Sequence, residues 1–289
     1  MSPDAGPVRS RGATIAWSIA YLVLGFLGTA VLVQAAVSVS APLADWAHQS
    51  LVVSSLLQAG VGLLVFGGLT LLVGRRLLRL DRSELGWASP RVGLRGFGWG
   101  LALGAMVATL AFLLDAGLAG GRWIPDGESV AAYPGRLAGL ALVLLPAAFL
   151  EEVAFRGVAL AGITRSTSAG TGILITSTLF AGAHALNPGI TPLAMGNIGL
   201  AGLFLGLTFF ARGGLWTATG AHLGWNLMLA ALGAPVSGLP FEVPGIDFSP
   251  GQPAWLTGGN FGPEGGLVAT VALALGIALA ARSVPKGER

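Results

Sequence analysis

Residues 137–163 read LAGLALVLLPAAFLEEVAFRGVALAGI, and every side chain in that run is uncharged except Glu151, Glu152 and Arg156. About 20 mostly apolar residues suffice for a helix to cross a bilayer, so the run is long enough to span. An ionised side chain at the centre of such a helix costs about 2.5–3.5 kcal/mol on the insertion scale. Three of them, unpaired and additive, would cost roughly 7–10 kcal/mol. The stretch therefore sets two expectations: a helix in lipid, and partners that offset the charges.

The rest of the chain agrees with a lipid environment. Of 289 residues, 54% are hydrophobic and 10% charged, where soluble domains carry about 25% charged residues. The mean hydropathy is +0.77. This composition argues against a soluble enzyme, a disordered tail and a nucleic-acid binder, because so much apolar surface has no soluble hiding place. The pattern predicts an all-α polytopic membrane protein with about eight transmembrane helices, at 15–37, 51–73, 94–118, 137–163, 170–187, 193–211, 215–234 and 264–282. The first apolar run is longer than the 7–15 residues of a signal-peptide core and reads as an uncleaved transmembrane helix.

Three regions follow: 1–136 with three spans, 137–234 with four, and 235–289 with a Gly/Pro-rich outside loop and the last span. Glycines at helical spacing (Gly100/Gly104, Gly202/Gly206, Gly220/Gly224) read as close-packing positions. Basic residues set the orientation. With the N-terminus cytoplasmic, 13 of the 16 Lys and Arg residues fall in inside segments. Only Arg122 and Arg136 fall outside. The positive-inside rule then places both termini in the cytoplasm. There is no cysteine, which removes disulfides, thiolate metal sites and Cys nucleophiles.

The intramembrane polar residues carry the chemistry. Glu152 and Arg156 are four apart with the acid N-terminal, the better orientation for a helical ion pair. Glu151 is turned about 100° away, so it faces something else. His184 and His222 lie in two further spans, and Asn226, four residues after His222, shares its face. His48 falls in an outside loop and reads as solvated. A buried carboxylate without its own cation is suited to act as a general base. A histidine beside it would hold and polarise a water, and a His–Asn pair offers donors to a developing oxyanion. The parts match attack of water on an amide. No Gly-x-Ser-x-Gly elbow and no His-Glu-x-x-His zinc helix is present.

Glu151-Glu152-x-x-x-Arg156, Phe180-x-x-x-His184 and His222-x-x-x-Asn226, in this order and on separate helices, resemble the CAAX-protease and bacteriocin-processing family of intramembrane glutamic endopeptidases. The eukaryotic prenyl-protein endopeptidase belongs to that family. The resemblance covers roughly residues 137–234, and Asn187-Pro188-Gly189 and Gly214-Leu215-Trp216 are also similar to bacterial members. It implies that Glu151 and His184 activate the attacking water and that His222 and Asn226 stabilise the oxyanion. Glu152 and Arg156 take supporting positions, with no metal and no cofactor. Phe180 has no catalytic group and is expected to pack the site. The implied substrate is a membrane-associated peptide or protein, the implied location the cell membrane, and nucleic acid is not a partner.

Three other readings use the same residues. One is a non-proteolytic scaffold or bacteriocin immunity protein of the same family. Another is a proton-coupled transporter, since Glu, Arg and His also build relays, although no repeated halves are visible. The last is a zinc hydrolase with His184, His222 and Glu151 as ligands.

Overall fold

The computed structural model describes residues 10–284; the termini, and with them Arg9, Lys286 and Arg289, lie outside the described residues. The chain is a helical bundle. Helix α1 (Arg11–Val39) starts at Ser10, whose hydroxyl oxygen accepts the Ala13 amide. A short helix α2 (Ala41–Gln49) follows, with His48 exposed in its last turn. Helix α3 (Leu51–Leu69) runs on through a π-helical stretch to Leu77. Then come α4 (Pro90–Ala119), strand β1 (Arg122–Ile124) and α5 (Tyr133–Glu152). Helix α5 continues through a second π-helical stretch (Val153–Ala159) into α6 (Leu160–Ser166). The remaining elements are α7 (Ala169–Ala183), α8 (Pro192–Phe209), α9 (Leu215–Ala231), β2 (Asp247–Ser249), α10 (Ala254–Thr257) and α11 (Leu267–Ser283).

Each of the eight expected spans falls on a helix, with shifted ends. Among the described residues, five helical stretches are long and apolar enough to cross a membrane: Arg11–Val39, Leu51–Leu77, Pro90–Ala119, Val130–Ser166 and Pro192–Phe209. Helices α7 and α11 are apolar but shorter, with 15 and 17 residues. At 1.5 Å per residue, 15 residues reach only about 23 Å, against about 30 Å of hydrocarbon. Two boundaries differ in ways that matter for the site. Helix α7 stops at Ala183, so His184 caps its end rather than sitting within a span to 187. The last helix begins at Leu267, so Glu264 lies before it in the preceding loop.

The glycine pairs do close the helices together. A Cβ on Gly100 or Gly104 would meet the backbone of Thr217 or Ala221, and one on Gly220 or Gly224 would meet the backbone of Phe97 or Leu101. Helices α4 and α9 thus share a reciprocal seam in which main chain touches main chain, the contact small residues permit in lipid. Across the α7–α8 contact, a Cβ on Gly202 would meet Ser177 and one on Gly206 would meet the Ile173 side chain.

The connections sort onto two ends. At one end Arg165 donates to the carbonyls of Leu78 and Arg79, Leu215 N–H donates to Gly86, and Trp87 bridges to Gly214. At the other end β1 pairs antiparallel with β2, Tyr133 hydroxyl donates to Ala231, and Asp126 accepts from Gly245. The Gly/Pro-rich loop is irregular, as its composition implies, but β2 anchors it to β1 far back in the chain.

Candidate active site

The charge trio sits where α5 passes into its π-helical stretch. One wider turn re-aims successive side chains, and such turns recur at functional sites. Tyr21 holds the turn in place: its hydroxyl donates to the Val153 carbonyl at 3.1 Å and lies 3.1 Å from the Thr70 hydroxyl.

Glu152 and Arg156 are fully buried, with no exposed side-chain surface. Their closest approach is 3.4 Å, Arg156 Nε to Glu152 Oε2, an ion pair along one helix face. Arg156 also donates through Nη2 to the Gly202 carbonyl at 3.1 Å. Its guanidinium lies 4.6 Å from the centre of the Phe180 ring, within cation–π range. The second oxygen of Glu152 is taken by His222: Nδ1–H donates to Oε1 at 2.8 Å. Helical spacing identified Arg156 as the partner of Glu152, but not this second bond from α9.

Glu151 has a different environment. Its side chain keeps 32% of its exposure, and its Oε2 stands 3.8 Å from Nε2 of His184 and 3.8 Å from Nε2 of His222. Both distances are too long for direct hydrogen bonds. They suit one small molecule seated between the three atoms. The His184 ring is fixed from behind, because its Nδ1–H donates to the Phe180 carbonyl at 2.8 Å. With both Nδ1 protons committed to acceptors, each Nε2 is aimed at the Glu151 carboxylate. Phe180 packs between them, with its ring centre 4.6 Å from that of His184 and 5.9 Å from that of His222. It is the packing residue its chemistry implied.

These groups line a cavity of about 370 Å³. Glu151, His184, His222 and Asn226 all face it, and its apolar walls include Phe26, Leu144, Leu150, Phe155, Leu239 and Phe241. The candidate residues from three helices are therefore brought together. Among the described residues, no group of three His, Asp or Glu side chains is arranged to hold a metal ion. A recess of about 520 Å³ at the other end of the bundle is larger, but it holds no comparable base; its one acid–base pair, Glu84 with Arg165 at 3.6 Å, is a surface ion pair.

Glu264 is a residue the sequence reading passed over, at the first position of its last expected span. It is buried, and its carboxylate accepts from Trp225 Nε1 at 3.0 Å and from the Ser237 amide. It shares a narrow cleft with His184, His222 and Asn226. Burial pushes its pKa above the usual carboxylate range, against the lowering effect of those donors. The Ser237 carbonyl is held in turn by Asn187 Nδ2 at 2.9 Å. Glu264 and Asn187 thus fix the segment that walls the cavity from above. No periodic pattern marks an isolated acid, so only its position at the start of an apolar run offered a signal.

No curated protein and no solved structure matches the chain significantly. Residues 133–228, about a third of the chain, match the family model described as type II CAAX prenyl endopeptidase Rce1-like. The match runs from the start of α5 into α9 and contains Glu151, Glu152, Arg156, His184, His222 and Asn226. Over this segment the chain is similar to the Rce1-like family of type II CAAX prenyl endopeptidases.

Proposed function

We propose that the protein is a metal-independent glutamic endopeptidase of the cell membrane, cutting a peptide bond of a membrane-associated peptide or protein. The observation that carries this reading is the isolation of Glu151: it faces a cavity and two imidazole Nε2 atoms at 3.8 Å, while its neighbour Glu152 is consumed by Arg156 and His222. A water between Glu151 and His184 loses its proton to the carboxylate as its oxygen attacks the substrate carbonyl. Asn226 Nδ2–H donates to the oxygen of the resulting tetrahedral centre. So does His222 in its doubly protonated form, with Glu152 as counter-ion. Glu151 then delivers its proton to the departing amine. Glu152 and Arg156 act by orienting His222 and need not touch substrate. No cofactor enters the scheme.

Comparative proteomics of membranes carrying the wild type or Glu151→Gln identifies the substrate through new termini found only with the wild type. On that substrate in liposomes, Glu151→Gln is expected to lower kcat about 10²–10⁴-fold, and Asn226→Ala about 10²–10³-fold. Wild-type turnover by folded Glu151→Gln protein removes the mechanism.

A further inference from the structure

The catalytic cleft is not centred between the two ends of the bundle. Its floor is at mid-bundle depth, with Phe66, Leu150 and Phe155; further lining comes from the second half of α1 (Phe26, Thr29), the first part of α3 (Ser55, Gln58) and the segment after α7 (Asn187), together with the loop residues Val236, Ser237 and Leu239. All of the latter lie toward the end that carries the β1–β2 ribbon. That end holds Arg122 and Arg136. The opposite end gathers Arg75, Arg76, Arg79, Arg82, Arg91, Arg95, Arg165 and Arg212, on connections that bond directly to one another. Basic connections of this length stay on the cytoplasmic side during insertion. Gln58, exposed on a largely apolar helix, is also suited to a cleft wall reached by water rather than to lipid.

We propose that the cleft opens to the non-cytoplasmic face, so that the substrate is a chain presented from the outer leaflet or from outside the membrane. The walls define its chemistry further. Among the lining residues there is no Lys or Arg, and the one acid is Glu151. The cleft therefore takes an apolar stretch within a chain and offers no Lys or Arg side chain to a free terminal carboxylate. This rests on the proteolytic reading for its substrate, but the sidedness stands on geometry and charge alone.

The chain has no cysteine, so single-cysteine variants report without background. Gln58→Cys and Leu239→Cys in the cleft, and Ser83→Cys at the arginine-rich end, would be exposed to a membrane-impermeant maleimide on intact cells and again after permeabilisation. Near-complete modification of both cleft cysteines on intact cells, with Ser83→Cys reacting only after permeabilisation, is the expected result. Ser83→Cys reacting on intact cells, or cleft cysteines reacting only after permeabilisation, overturns the proposal. Using two cleft positions keeps the test valid if one variant fails to fold. The same labelling in a Glu151→Gln background needs no catalysis. A protein that labels as expected but never cleaves would therefore reject the protease and keep the sidedness.

Discussion

Removing the Glu152 carboxylate should show how firmly the charge trio is tied together. In Glu152→Leu, Arg156 keeps its bond to the Gly202 carbonyl and its place over Phe180, but a fully buried cation loses its counter-charge. Breaking one side of such a pair costs about 3–5 kcal/mol, because the remaining charge stays buried. A loss of 3 kcal/mol lowers the folded-to-unfolded ratio more than about a hundredfold. Replacing both partners, in Glu152→Leu/Arg156→Met, removes the stranded charge and should recover most of that loss. The coupling energy should then approach about 3 kcal/mol, the upper part of the range for contacting residues. Reversible unfolding in mixed micelles of rising sodium dodecyl sulfate content, followed by tryptophan fluorescence, measures all four corners of the cycle. Activity should behave differently from stability. His222 has lost its Nδ1 acceptor in both the single and the double variant, so neither should cleave at the wild-type rate. Additive losses, or an Arg156 left stable without Glu152, would refute the reasoning.

Two further outcomes follow from the packing and the buried loop acid. Gly104→Ala drives a methyl into the Ala221 backbone across the α4–α9 seam and should cost about 1–3 kcal/mol, whereas Gly98→Ala meets nothing within 4 Å and should be neutral or stabilising in the same unfolding assay. Glu264 has its pKa raised by burial, so the folded state binds its proton more tightly than the unfolded chain does. Stability should therefore fall as pH rises from the ordinary carboxylate range through the raised value, and thermal melts across pH should lose that slope in Glu264→Gln.

Much of this protein was legible before folding was considered. Apolar run length places helices in lipid with no tertiary information, because a bilayer leaves backbone polar groups no partner outside the helix itself. The i,i+4 spacing of Glu152 and Arg156 is likewise a property of one helix, and so is the turn of Glu151 away from them. Glycine spacing marked close-packing positions on α4, α8 and α9 for the same reason, though not which helices they would meet. What the chain order left open was every relation between helices. The bond from His222 to Glu152 joins residues 70 apart, and the two 3.8 Å approaches to Glu151 depend on how α7 and α9 lean against α5. Glu264 had no local signature, because its partners Trp225 and Ser237 reach it only through the folded loop. Local periodicity is written in neighbouring residues, whereas a site shared by several helices exists only once packing has fixed their rotation and depth.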